Sequence, residues 1–258
     1  MVIDATLQAE VALRRRYIDL LRDALTMALW GAGDGHLVAP DTYESSADFR
    51  EDGRDWPQLA HTMIGRRRIE NLRFCLEDVL QRGVPGDFIE TGVWRGGACV
   101  FARGIFAAYG ETDRTVWVAD SFEGLPPPDV TRYPADRGSS FHEFGQLAID
   151  VGTVRATFER YGLLDDQVRF LKGWFKDTLP TAPIEQLAVA RLDGDMYEST
   201  MDALTSLYPK LSVGGYLIID DYSIPACSRA VHDYRRAHGI DDPIEVIDWT
   251  GVFWKKHG

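Results

Sequence analysis

Two apolar runs in the stretch 189–221 each end in a pair of carboxylates, and this arrangement constrains the fold more than any other feature of the chain. The first run precedes Asp193 and Asp195, and the second precedes Asp220 and Asp221. A segment with helical character separates the runs, so the stretch predicts a strand, a helix and a second strand. Because strands joined by such a crossover are parallel, both acidic pairs should reach the same edge of one sheet.

The carboxyl edge is where open α/β sheets bind their ligands. Several acids that meet there repel one another unless a cation joins them, and oxygen ligands suit Mg²⁺, Mn²⁺ or Ca²⁺ better than Zn²⁺. The alternative is that the aspartates only cap helices and begin turns, which aspartates often do after strands. The residues alone leave both interpretations open.

The remainder of the chain alternates between predicted strands and helices after a helical N-terminal region. Apolar residues at helical spacing predict helices at 8–30 and 62–82, with a polar, glycine-containing loop at 31–58 between them. The further elements are strands at 88–91, 115–120, 167–175, 187–193 and 215–220, helices at 151–162 and 225–239, and a terminal hairpin around 248–251. This alternation predicts one doubly wound parallel α/β sheet with a terminal antiparallel strand, the usual plan of AdoMet-dependent methyltransferase domains.

We therefore divide the chain into an N-terminal helical cap and lid at 1–82 and a methyltransferase domain at 83–258. A proline-rich insertion at 121–150 is long enough to form a second lid element. Trp56 in the first lid precedes a proline, so it is a candidate stacking surface for a ligand, the alternative being a tryptophan packed on the core.

The composition excludes several classes of protein. The chain has 258 residues and a formal net charge of −12, which disfavours binding to nucleic-acid phosphates. Its three cysteines are odd in number and far apart, so they form neither a disulfide framework nor a zinc pattern, and a reducing cytoplasm is expected. The sequence contains no secretory signal and no apolar run long enough to span a membrane.

A glycine-rich turn follows the strand at 88–91 and is typical of a nucleotide-type loop. It has the form acid-x-Gly-x-x-x-Gly from Glu90 to Gly96, and Trp94 stands where a dinucleotide loop has a glycine. Glu90 beside a pyrophosphate would be repulsive, whereas beside the cationic amino-acid end of AdoMet it would be favourable. Asp120 ends the next strand, where an acid can accept both ribose hydroxyls. This order of an acid, two glycines and an acid at the end of the second strand favours AdoMet over NAD as the ligand.

Six strings of the chain closely resemble the macrocin O-methyltransferase family, which includes the mycinamicin and novobiocin sugar O-methyltransferases. The resemblance covers roughly residues 54–257, and it is weak at 1–50 and 125–150, which we expect to set the acceptor. The strings are HTMIG (61–65), GVPGDFIETGVWRGGACVFARG (83–104), VWVADSFEG (116–124), RYGLLDDQVRFLKGWFKDTLPTAP (160–183), RLDGDMYESTMDAL (191–204) and GGYLIIDDYSIPACSRAVHDYR (214–235).

The resemblance implies a class I methyltransferase with a Rossmann-like sheet and an N-terminal helical cap, forming a homodimer. It implies Mg²⁺ ligands at Asp193, Asp220 and Asp221. Asp120 would hold the ribose of AdoMet, and Gly173 with Trp174 would flank the adenine. The implied AdoMet-binding residues are Thr62, Met63, Glu90, Thr91, Gly92, Arg95, Gly96, Asp120, Ser121, Gly173 and Trp174.

The predicted function is AdoMet- and Mg²⁺-dependent O-methylation of a sugar hydroxyl on a glycosylated natural product or saccharide. A metal that binds two neighbouring hydroxyls lowers their pKa and orients them, and we assign the general base to Asp193, with Asp195 or His142 as alternatives. The predicted substrate contacts are Trp56, His142 and Tyr222. His142 is otherwise a solvated loop histidine.

Three other functions are left open. The acceptor could be a mannose or rhamnose of a cell-envelope glycolipid or polysaccharide, or a catechol-type aromatic diol. The third is a non-catalytic AdoMet-binding module, which is hard to reconcile with an intact set of metal-binding acids.

Overall fold

The computed structural model describes residues 5–30, 37–38 and 47–258. The helices are α1 (Ala5–Leu25), α2 (Ala47–Asp52), α3 (Arg66–Arg82), α4 (Gly97–Tyr109), α5 (Val151–Arg160), α6 (Phe175–Thr178), α7 (Tyr197–Leu207) and α8 (Pro225–His238). The strands are β1 (Leu37–Val38), β2 (Trp56–Pro57), β3 (Asp87–Thr91), β4 (Val116–Asp120), β5 (Val168–Lys172), β6 (Leu187–Leu192), β7 (Leu211–Ile219), β8 (Glu245–Val246) and β9 (Val252–Lys255). Among these residues no helix is long and apolar enough to cross a membrane.

A seven-stranded sheet forms the centre of the molecule, in the order β5-β4-β3-β6-β7-β9-β8. The first five strands in this order are parallel, and β9 pairs antiparallel with both β7 and β8. The predicted doubly wound sheet with a terminal antiparallel hairpin is therefore confirmed. Strands β1 and β2 form a separate two-stranded antiparallel pair.

Alternate side chains of each strand enter two different cores, as the two-residue period of a strand requires. Phe88 and Val118 pack with apolar residues of α1, α3, α4 and α5 on one face. Ile89 and Ala119 pack with apolar residues of α7 and α8 on the other face. Both faces of the sheet are thus covered by helices, which explains why the central strands carry apolar residues on both faces.

Helix α1 packs directly on α4, and a glycine permits the close approach. A Cβ added at Gly104 of α4 would lie 2.2 Å from Cδ2 of Leu21. Ile18, Leu21 and Leu25 of α1 are buried in the first core. The N-terminal helix is therefore built into the first core beside the sheet, while the division of the chain at residue 82 stays a prediction.

Several boundaries differ from the sequence prediction. The first helix ends at Leu25 instead of residue 30, and β7 begins at Leu211 instead of residue 215. The segment 31–58 was predicted to be a loop, but it contains the short helix α2, whose six residues are too few to show a periodic pattern. Its glycines Gly31, Gly33 and Gly35 lie outside the described residues. The second helix begins at Arg66 instead of residue 62, because Gly65 is extended with φ −73° and ψ 173°. The insertion at 121–150 has no strand and contains only three short 3₁₀ turns among its residues.

Candidate active site

The strand register places the two acidic pairs side by side at the carboxyl edge of the sheet. Leu192 of β6 lies between Thr91 of β3 and Ile219 of β7. The ladder continues past the strand ends, since the Asp193 N–H donates to the Thr91 carbonyl and the Asp220 N–H donates to the Leu192 carbonyl, both at 2.9 Å. The shared edge that the crossover predicts is therefore present.

Gly92 allows the loop after β3 to pass against the first acidic pair. Its φ is +84°, in the left-handed region that favours glycine. A Cβ at this position would lie 1.7 Å from the carbonyl oxygen of Asp193. The glycine-rich turn is thus required by a backbone contact as well as by its conformation.

The carboxylate of Asp120 is oriented by backbone N–H groups from two loops. Its Oδ2 accepts a hydrogen bond from Val93 N–H at 2.8 Å, and its Oδ1 accepts one from Phe122 N–H at 2.7 Å. Burial raises the pKa of Asp120, and these hydrogen bonds oppose that shift. Ser121 Oγ donates to the carbonyl of Gly124 at 2.6 Å and closes the same turn.

A cleft of about 100 Å³ lies above these loops. Six of the predicted donor-binding residues line it, namely Met63, Gly92, Asp120, Ser121, Gly173 and Trp174. Asp193 and Asp195 line the same cleft, so the predicted donor site and the first acidic pair share one cavity.

The other five predicted donor-binding residues, Thr62, Glu90, Thr91, Arg95 and Gly96, do not line the cleft. Glu90 is buried and points to Arg191, with Nη1 to Oε1 at 2.5 Å. Arg95 instead holds the chain before α3, since its Nη1 donates to the carbonyls of Gln58 at 2.7 Å and Ala60 at 2.9 Å.

Three carboxylates form the tightest acidic cluster among the described residues. Asp193, Asp195 and Asp221 each offer an oxygen, and these oxygens lie within 4.8 Å of one another. Asp195 has a φ of +58°, and its N–H donates to Oδ2 of Asp221 at 3.0 Å. This turned backbone brings Asp195 into the cluster.

The cluster holds protons more tightly than ordinary carboxylates do. Burial raises the pKa of Asp193 to about 6, with a further increase from Asp220 and an opposing effect of Arg191. Burial and the nearby Asp193 raise the pKa of Asp195 to about 8. The pKa of Asp221 is raised well above its ordinary value by burial and by Asp195.

Asp220 was predicted as a metal ligand, but here its carboxylate is bound by two arginines. Its Oδ1 accepts a hydrogen bond from Arg191, and its Oδ2 accepts one from Arg68. Arg191 is 1% exposed and also contacts Glu90 and, at 2.8 Å, Oδ2 of Asp193. Asp195 instead completes the cluster with Asp193 and Asp221, and the assignment of Asp220 as a metal ligand stays a prediction.

The residues present fit a hard divalent cation. All the donors in the cluster are carboxylate oxygens, which Mg²⁺, Mn²⁺ and Ca²⁺ prefer. The raised pKa values result from burial and mutual repulsion, and a cation among the three acids would relieve the repulsion. The acidic triad can therefore hold a metal ion.

Comparison with known proteins decides the family. The model of the macrocin O-methyltransferase (TylF) family matches residues 32–256. The chain belongs to this family. It is a family of AdoMet-dependent methyltransferases, and the resemblance drawn from the sequence motifs is confirmed.

Two relatives of this macrocin O-methyltransferase family resemble the chain over nearly their whole length. The 8-demethyl-8-(2,3-dimethoxy-alpha-L-rhamnosyl)-tetracenomycin-C 4'-O-methyltransferase of Streptomyces olivaceus is 57% identical over 243 residues, 94% of this chain and 93% of the relative. The mycinamicin III 3''-O-methyltransferase of Micromonospora griseorubida is 54% identical over 245 residues, 93% and 96% of the two chains.

The solved structure of the O-methyltransferase NovP superposes on the chain with a TM-score of 0.90. It is 51% identical, and the match covers 95% of this chain and 100% of NovP. The architecture is that of class I methyltransferases, as the sequence predicted, and the chain is an O-methyltransferase.

The predicted acceptor residues of this O-methyltransferase are not among the residues that line the cleft. Trp56 is half-buried, and its ring meets the edge of Phe144 with centroids 5.8 Å apart. His142 is exposed on the insertion, with its Nε2 3.9 Å from Glu143. The Tyr222 hydroxyl is 2.8 Å from Nε2 of His232.

Two acids of α7 were absent from the sequence analysis although they line the cleft. Glu198 and Asp202 lie one turn apart on the same face. Lys176 Nζ is 3.8 Å from Glu198, while burial and Glu198 raise the pKa of Asp202 to about 6. Their four-residue spacing just after the first acidic pair was the signal available in the sequence.

Proposed function

We propose that this protein transfers a methyl group from AdoMet to a sugar hydroxyl of a glycosylated natural product, with the help of Mg²⁺. One observation carries the proposal: the predicted donor cleft and the acidic cluster share Asp193 and Asp195. A methyl donor and an oxygen-binding metal would then lie within one cavity. The relatives named as methyltransferases of rhamnosyl-tetracenomycin and mycinamicin III support a glycosylated acceptor.

AdoMet is expected to lie along the loops after β3, β4 and β5. Asp120 is suited to the ribose hydroxyls, since it lines the cleft and backbone N–H groups of Val93 and Phe122 fix the orientation of its carboxylate. Gly173 and Trp174 follow β5 beside it and suit the adenine. Gly92 lines the same cleft, and without a side chain it lets the loop after β3 pack against Asp193. Glu90, buried against Arg191, would act on the donor only through that arginine.

Asp193 and Asp221 are the Mg²⁺ ligands that the resemblance and the geometry share. The resemblance implies Asp220 as the third ligand, whereas the distances between carboxylate oxygens favour Asp195. When bound, Mg²⁺ would chelate two neighbouring hydroxyls, lower their pKa and fix their orientation. The single substitutions Asp195→Asn and Asp220→Asn distinguish the two ligand sets.

The general base removes the proton from the hydroxyl that attacks the methyl carbon, at a separation of about 3 Å in line with the sulfur. Asp193 was predicted for this role, but its Oδ2 accepts a hydrogen bond from Arg191 at 2.8 Å. Among the described residues no arginine or lysine is paired with Asp195, and burial together with Asp193 and Asp220 raises its pKa to about 8. We accordingly favour Asp195 as the base and Asp193 as a metal ligand.

Trp56 and Phe144 are suited to contact the acceptor sugar. They belong to the two lid segments, and their edge contact joins these segments beside the cleft. Leu147, which follows Phe144 on the insertion, lines the cleft. Aromatic rings can pack on the apolar face of a sugar, so this pair would select the acceptor.

We also expect a homodimer, as the resemblance implies. Helix α1 exposes four large apolar side chains, Leu7, Val11, Leu13 and Leu20, each at least 51% exposed. Exposed apolar groups of this kind are typical of interfaces. Light scattering after gel filtration measures the state, and a monomeric wild-type protein would contradict this expectation. A cytoplasmic location stays a prediction.

The experiment that tests the function is an acceptor panel with AdoMet and Mg²⁺. The panel includes a rhamnosylated polyketide, a glycosylated macrolide, a rhamnosyl glycolipid and a catechol, each followed by mass spectrometry for one added methyl group. We expect methylation of a glycosylated natural product. Methylation of the catechol alone would overturn the sugar assignment, and methylation of the glycolipid alone would move the substrate to the cell envelope.

A further inference from the structure

Arg68 of α3 is a buried residue to which the sequence analysis gave no role. Its side chain is 6% exposed and contacts three separate parts of the chain. Nη1 binds Oδ2 of Asp220 at the carboxyl edge, and Nε donates to Oδ2 of Asp248, in the turn between β8 and β9, at 3.0 Å. Nη2 donates to the carbonyl of Gly53, just after α2, at 3.0 Å.

The end of α2 is packed on the start of α3 without room for a side chain. Gly53 has a φ of +63°, and a Cβ there would lie 2.3 Å from the nitrogen of Gly65 and 2.4 Å from Nη2 of Arg68. Trp249 adds a second connection, because its Nε1 donates to the carbonyl of Asp52 at 2.9 Å. Arg68 and Trp249 thus bind two consecutive carbonyl groups, those of Gly53 and Asp52, which we call the base of the lid.

Trp56 follows Gly53 by only three residues, so the position of the lid base determines where Trp56 can lie. Three residues span at most about 10 Å of extended chain. Asp55 between them is buried and paired with Arg50 at 3.2 Å, which makes this short connection stiff. The same arginine that holds the lid base also binds Asp220 beside the acidic cluster.

We propose that Arg68 is a positioning residue that fixes the lid segment 52–57 to the carboxyl edge and so holds Trp56 over the acceptor. The role in acceptor binding rests on the proposed function. The fork of the guanidinium serves a carbonyl and two carboxylates at once, which a lysine ammonium cannot do in the same geometry. The two carboxylates offset the charge of the buried arginine.

The test compares Arg68→Met and Arg68→Lys with Arg67→Met as a matched control. Arg67 is the neighbouring arginine and also reaches the lid, with Nε 3.0 Å from Oδ1 of Asp52, but its side chain is 58% exposed and is not bound to the sheet edge. Amide exchange of residues 47–57, calorimetric AdoMet affinity, and KM and kcat for the acceptor are measured on the folded proteins.

In Arg68→Met we expect exchange in the lid to accelerate by about tenfold or more, since the opening free energy falls by about 1.4 kcal/mol per factor of ten. KM for the acceptor should rise by about the same factor, while the affinity for AdoMet stays within about threefold. Arg68→Lys should fall between the wild type and Arg68→Met. Arg67→Met should resemble the wild type.

Unchanged lid exchange in both Arg68 variants, or a loss confined to kcat, would show that Arg68 serves only the carboxylates and would overturn the proposal. If Arg68→Met does not fold, Trp249→Phe removes the bond to the Asp52 carbonyl and leaves the acidic cluster intact; it should also loosen the lid. If the wild type and Arg67→Met methylate no glycoside, the proposed function fails, whereas lid exchange measured without acceptor still tests the role of Arg68.

Discussion

Replacing Gly92 by alanine tests whether the glycine turn is required by its contact with Asp193. Gly92 has a φ of +84°, and a non-glycine residue in this region costs about 1–2 kcal/mol. The added Cβ would also lie 1.7 Å from the Asp193 carbonyl oxygen, so the backbone after β6 must move. That movement breaks the hydrogen bond from Asp193 N–H to Thr91, worth about 1 kcal/mol, and disturbs packing by about 1–3 kcal/mol.

The sum is about 3–6 kcal/mol, which is a large part of the roughly 5–15 kcal/mol by which a domain is stable. Gly83→Ala is the matched control, because Gly83 has a φ of +64° and nothing lies within 4 Å of its added Cβ. It should lose only the conformational cost of about 1–2 kcal/mol. Urea unfolding followed by tryptophan fluorescence measures both variants without ligands. If the unfolding free energies of the two variants differ by less than about 1 kcal/mol, the contact with the Asp193 backbone does not explain why position 92 requires a glycine.

Further predictions concern the acidic cluster and the lid. Asp195→Asn should weaken Mn²⁺ binding by about tenfold or more, and Asp220→Asn should weaken it much less; calorimetry measures both affinities. A larger loss in Asp220→Asn would make Asp220 the third metal ligand instead of Asp195. The folded-state pKa values of Asp193 and Asp195, about 6 and about 8, lie above the ordinary 3.8, so the stability of the metal-free fold falls as pH rises above about 4, and this fall ends near pH 6 for Asp193 and near pH 8 for Asp195. Over that window the affinity for Mn²⁺ should rise and binding should release protons; a pH-independent affinity would contradict these shifts. EDTA should abolish methylation and excess Mg²⁺ should restore it, and activity that persists in EDTA would exclude the metal. Trp56→Ala should raise KM for the acceptor by about tenfold or more and leave AdoMet affinity unchanged, and an unchanged KM would remove Trp56 from the acceptor site.

The sheet could be predicted because its determinants are local in the sequence. Each of the five parallel strands is a short, mainly apolar run that ends in an acid or is followed by a glycine or an acid, and the alternation with helices predicts the parallel direction of these strands. The short helix α2 escaped prediction because six residues are fewer than two turns of an amphipathic pattern. The start of α3 escaped because Gly65 is extended by its contact with Gly53, which is remote in the sequence.

The site was predictable at the level of which strand ends carry acids, but not at the level of which carboxylate enters the cluster. Asp220 is drawn aside by Arg68 and Arg191, and only the folded structure brings Arg68 to that edge. Asp195 enters through a backbone turned to φ +58°, which the sequence Asp-Gly-Asp does not reveal. The sequence showed Glu90 near the end of a predicted strand, but the arginine that binds it stands on a different strand.

The contact of Trp56 with Phe144 has a consequence for changing the acceptor of this enzyme. The two rings belong to segments that are far apart in the chain, while the acids and the donor loops belong to the sheet edge beneath them. Chimeras that exchange only one of the two segments with a relative would therefore pair aromatic rings that do not fit each other, although the carboxyl edge of the sheet stays unchanged. Exchanging both segments together should transfer the acceptor preference. Chimeric libraries built from this family should therefore take both lid segments from the same parent sequence.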